Sequence, residues 1–147
     1  MAANTSPIFG LVADSKNISA SAAIAYSDAS TPRSGNTANI TAGAHVTLLT
    51  AGANGTRVDR ITFEATATTL AGQLLLFIND GATNWFFKEV TIAAVTASTT
   101  LAAATAEIIR TDGLPICALP SGYSLKAAIT VTPTSGVINI QAFGSDF

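Results

Sequence analysis

Charge is scarce in this chain. Asp, Glu, Lys and Arg make up 11% of its 147 residues, against about 25% in an average soluble domain. Ala, Thr and Ser stand where Lys and Glu normally do. Such a neutral surface suits exposed strand faces, and it suits a surface covered in an assembly, because a free monomer keeps more charge for solubility. Oligomerisation is therefore expected. The seven basic residues are scattered, and the net charge is −2. No phosphate-neutralising cluster exists, which argues against a nucleic-acid partner.

Other absences exclude more. One cysteine, Cys117, rules out an internal disulfide and reads as a small buried hydrophobe. One histidine, His45, would have to serve as the base of any catalytic triad. It begins a strand, and no Gly-x-Ser-x-Gly elbow accompanies it. With so few His and Cys, zinc is nearly excluded. Asp80 with Asn79 and Asn84 offers oxygen ligands at a hairpin tip, but Asp-Gly with flanking Asn is ordinary turn chemistry. Asp59, Glu64, Glu89 and Glu107 are the carboxylates that glycosidase work would need. They read instead as solvent-face charges. No phosphate loop is present, since Gly52 and Gly55 precede no helix. Trp85, Tyr26 and Tyr123 could form a sugar platform, with an aromatic clamp beneath the loop as the plainer reading. The expectation is a protein without enzyme activity, cofactor or metal.

The N-terminal stretch lacks the basic and apolar regions of a signal peptide. No apolar run reaches the ~18 residues of a membrane helix. A membrane is not expected as a partner.

What is present is strand chemistry. His45–Thr50, Arg57–Thr66, Gln73–Asn79, Trp85–Ile92, Thr105–Thr111, Pro115–Leu119, Ser124–Thr132 and Val137–Phe143 read as strands, separated by turn signals. Weaker candidates lie at 20–31 and 38–41, and 93–104 is ambiguous. Asn54-Gly55 and Asp80-Gly81 favour tight reversals. Within Arg57–Thr66, Ile61, Phe63 and Ala65 are expected in the core. Val58, Arg60, Thr62, Glu64 and Thr66 are expected on the other face. Gln73–Asn79 is apolar on both faces, so one face needs a cover. We expect Leu74, Leu76 and Ile78 to bury against another protomer. Residues 1–19 read as an arm, with Pro7, Ile8 and Phe9 as an anchor on the partner surface or a neighbouring protomer. Residues 20–147 read as one domain. The fold class is all-β, a single antiparallel domain built as a sandwich or barrel, with an extended N-terminal arm.

Several segments carry a resemblance. TAGANGTRVDRI (50–61), LFINDG (76–81), Glu89-Val90, LPSGYSL (119–125), AFGSDF (142–147) and NTSPIF (4–9) resemble a group of small proteins encoded among the head genes of tailed bacteriophages. The likeness spans nearly the whole chain, apart from a divergent middle at 93–104. Members look like capsid decoration, or cement, proteins with a jelly-roll sandwich. The resemblance implies a homotrimer on the outer capsid surface, made in the host cytoplasm, with the major capsid protein as partner. It carries over no catalytic residue. The alternative is a head-fibre or receptor-binding module with glycan-facing loops.

Overall fold

A computed structural model describes residues 10–18, 45–131, 133 and 136–147, the first segment by its backbone alone. Nine strands are described: β1 (Gly10–Ile18), β2 (Val46–Thr50), β3 (Thr56–Ala65), β4 (Gly72–Asn79), β5 (Asn84–Ile92), β6 (Thr105–Ile108), β7 (Cys117–Leu119), β8 (Ser124–Ile129) and β9 (Ile138–Asp146). Every pairing is antiparallel. The all-β reading holds.

The strands form two sheets, ordered β1-β9-β3-β6 and β2-β8-β4-β5. β7 lies on the same edge of β3 as β6. It pairs with Thr56–Val58, while β6 pairs with Ile61–Glu64. The two behave as one edge strand interrupted by residues 109–116. Counted so, eight strands remain. Only β4–β5 is a hairpin within a sheet, and every other connection crosses to the facing sheet. That order is the jelly roll that the resemblance implies, and it decides for the sandwich over the barrel that strand chemistry leaves open.

The core lies between the sheets. Val58, Ile61, Phe63, Ile138, Ile140 and Ala142 from one sheet meet Leu48, Leu74, Leu76, Leu125, Ala127 and Ile129 from the other. Removing such side chains from water is the main favourable term holding the sandwich closed.

Two sequence expectations need correction here. Strict alternation puts Val58 on the face opposite Ile61, yet it is fully buried. The β3–β9 register shifts between Val58 and Arg60. This bulge adds one residue, Asp59, and reverses the alternation, so Val58 and Ile61 both face inward. The sequence also predicts a last strand that stops at Phe143. Instead β9 runs through Gly144 to Asp146. Gly144 pairs with Val58 on one side and Leu11 on the other, and both partners shift register just beyond it. A Cβ there would sit 2.0 Å from the Arg57 carbonyl oxygen. Only glycine lets the backbones approach so closely.

Residues 93–104 form no strand. One bridge, Thr69–Val95, pins them, and the Thr69 hydroxyl donates to the Ala93 carbonyl at 2.7 Å. The weak strand candidates at 20–31 and 38–41 lie outside the described residues.

Candidate interaction surfaces

The structure leaves Leu74 and Leu76 no surface for a second protomer, while Ile78 is only partly buried. Leu74 and Leu76 are fully buried in the main core, and Ile78 packs against it. The facing sheet supplies the cover that the sequence pattern demands. The opposite face of β4 carries Leu75 and Phe77, also buried within this single chain. They cluster with Ala128 and Phe86. The Phe77 and Phe86 rings meet edge to face, with centroids 6.1 Å apart. Pro7, Ile8 and Phe9 lie outside the described residues. Residues 10–18, expected in the arm, pair with β9 as β1.

The β4–β5 hairpin tip is fully engaged in its own turn. The Asp80 carboxylate accepts from the backbone N–H of Ala82 (2.9 Å) and Thr83 (2.7 Å), and from the Trp85 indole N–H (2.9 Å). These donors, led by the indole, hold the Asp80 carboxyl down at about 2. The Asn79 amide donates to the Asn84 side-chain oxygen at 2.8 Å, and the Asn79 oxygen accepts from Gly81 N–H. A cation would have to compete with these donors for the Asp80 and Asn79 oxygens. Trp85 is half exposed, but its one polar donor is already used. Among the described residues no three His, Cys, Asp or Glu side chains converge as a metal cluster would require.

The other candidate groups are dispersed. Burial, and then the Lys126 charge, lower the His45 pKa, and its Nδ1 is buried without a partner. Burial pushes the Cys117 thiol up to about 11, so it stays protonated and unreactive at neutral pH. Asp59 pairs with Arg57 at 2.8 Å. Glu107 meets Arg60 at 3.5 Å across the β3–β6 pair, and Arg60 lies over the Phe143 ring at 4.2 Å. Glu64 and Glu107 share the outer face of one sheet, while Glu89 belongs to the other sheet.

One end of the sandwich gathers features that the sequence kept apart. Gly10, where β1 begins, pairs with Ser145. Gly10 therefore lies beside the C-terminal residues. There Phe147 N–H donates to the Gly55 carbonyl at 3.1 Å, and the Phe147 ring lies over Gly55. The Thr56 hydroxyl donates to Asp146 and accepts from Gly52 N–H. The Asp80–Asn84 tip and the Pro120–Gly122 turn lie at the same end, since Asn79 pairs with both Ser124 and Asn84. Phe147 and Trp85 are 56% and 50% exposed here. Apart from this end, Ile109 and Leu114 project from the loop that splits β6 from β7, and Leu70 and Leu101 are exposed at the opposite end.

No protein-family model matches the chain, and no curated protein matches it. Among solved structures it is similar to a chain of the cyanophage Pam1 capsid asymmetric unit. The two share 14% identity with a TM-score of 0.42, over 99% of this chain and 94% of that one. A likeness this loose carries no argument, and the jelly roll rests on the strand order above.

Proposed function

We propose that the protein is a structural component of a phage virion, a decoration protein bound to the outer capsid surface as an oligomer. Its partner is the major capsid protein, and its work is mechanical. It adds buried contact across the shell at roughly 25 cal/mol per Å² before association costs. The motif resemblance supplies the word capsid. The observation that supports the reading is the sandwich end where Gly10 pairs with Ser145 and where Phe147 and Trp85 are exposed. An apolar anchor rooted beside exposed aromatics suits a docking end.

The test is cosedimentation with expanded capsids stripped of the protein. Deleting residues 2–9 spares β1, whereas a deletion through residue 16 would remove most of it. We expect the short deletion to reduce capsid binding at least tenfold, and Phe147→Ala to reduce it by less. Unchanged binding by the deletion variant would overturn the docking assignment. The alternative, a head-fibre or receptor-binding module, draws on the half-exposed Trp85. Copy number separates the two, since decoration requires many copies over the shell and a fibre requires few.

A further inference from the structure

We propose that the outer face of β3, β6 and β9 carries a binding groove for neutral saccharide. A depression of about 570 Å³ lies on this face, lined by Thr62, Glu64, Thr105, Glu107, Asn139 and Gln141. Its size falls in the range of small-ligand sites, about 300–1,000 Å³. The register brings the six side chains together. Thr62 pairs with Glu107 on one side and Gln141 on the other, and Glu64 pairs with Thr105 and Asn139. Two adjacent three-strand rows therefore present polar groups on one face.

The state of these groups separates this face from the other polar clusters. At the hairpin tip, Asp80, Asn79 and Trp85 have committed their polar groups to one another or to backbone. Thr69 and Thr130 are likewise bonded to backbone. In the groove, the side chains of Thr62, Glu64, Thr105, Asn139 and Gln141 have no hydrogen-bond partner among the described residues. Glu107 uses one oxygen on Arg60. The capacity of the groove is unspent, on a rigid three-strand floor.

The donor set selects the ligand. Carboxamides and threonine hydroxyls both donate and accept, which matches the hydroxyls of a sugar ring. Carboxylates accept strongly from hydroxyls. Two glutamates against one arginine leave the face negative, so uronic, sialic and phosphorylated saccharides are repelled. A bare cation is far smaller than the space. Arg60 already covers the face of Phe143, so no free aromatic platform adds stacking energy, and each site binds weakly. β3 runs from the docking end at Thr56 to this groove near Glu64. On the decoration reading the groove lies on the flank of the sandwich, toward the end far from the shell, and many copies convert weak sites into avidity. Only that orientation and avidity rest on the decoration reading.

The experiment is a ¹⁵N–¹H NMR titration of the isolated full chain with maltotriose and cellotriose, with trigalacturonate as the charged control. We expect at least one neutral trisaccharide to shift the amides of residues 62–64, 105–107 and 139–141, with Kd about 1–10 mM. Gln141→Ala and Glu64→Gln should each weaken binding at least fivefold while leaving distant amides in place, and trigalacturonate should give no response. Three results would each overturn the proposal: no shift at these amides with either neutral sugar up to about 50 mM, an equal response to trigalacturonate, or shifts centred on Trp85. The titration contains no capsid, so its outcome is independent of the cosedimentation result.

Discussion

A side chain at position 144 would bring its Cβ to 2.0 Å from the Arg57 carbonyl oxygen, and backbone on a paired strand cannot yield to it. Gly144→Ala is therefore expected to cost about 3 kcal/mol or more. Gly81 has a φ of +97° and open space around it. Gly81→Ala should cost only about 1 kcal/mol, the strain of a left-handed alanine. Urea denaturation of both variants checks the order. Asp80 gives a second residue-scale prediction. Its folded pKa, about 2, lies below the usual 3.8, so the charged form is favoured by folding. The contribution to hairpin order is present in full above pH ~4 and is lost as pH falls through ~2. The chain has one tryptophan, and its fluorescence should titrate in that window. Asp80→Asn should abolish the transition. A wild-type midpoint near 4 would show that the indole bond does not form.

At the scale of elements, β4 and the loop between β6 and β7 behave in opposite ways. β4 lies between β5 and β8 and is covered on both faces. Phe77→Ala, on the face away from the sandwich core, should cost about 3–5 kcal/mol. The 109–116 loop interrupts an edge, and Arg110 and Asp112 pair across its turn, with Arg110 Nε at 3.0 Å from one carboxylate oxygen. Interrupting and charging an edge is a common way to prevent sheet-to-sheet aggregation. Leu114 projects into solvent there, so Leu114→Ser should change stability by no more than about 0.5 kcal/mol. Thermal unfolding compares the two variants. The two-faced composition of β4 was legible in the sequence as a demand for cover. Which body supplies the cover was not, because composition does not distinguish a facing sheet from a second chain.

At the scale of the whole molecule, the sandwich buries its core without help from another copy. Self-association therefore has to come from exposed side chains rather than from an unfinished interior. A homotrimer is the expected state on the decoration reading, and light scattering on the purified protein should return three times the chain mass of 14.9 kDa. A monomer across the micromolar range would place any assembly on the capsid itself. If the loop apolar groups drive association, Leu114→Ser should dissociate the trimer without lowering the stability of the fold. If the docking end drives it, Phe147→Ala should do so.

Sequence alone determined eight of the nine described strands, all but β1, because two-residue alternation and Asn-Gly or Asp-Gly signals are local properties of the chain. It determined the class of the fold for the same reason. Three features depended on residues far apart in sequence. The β3 bulge that turns Val58 inward exists only against β9. The cover over β4 is chosen by which sheets and side chains pack together. The groove of Thr62, Glu64, Glu107, Asn139 and Gln141 forms only when three strands from different parts of the chain come into register. Those choices belong to tertiary structure, since each depends on a neighbour that no short stretch of sequence specifies.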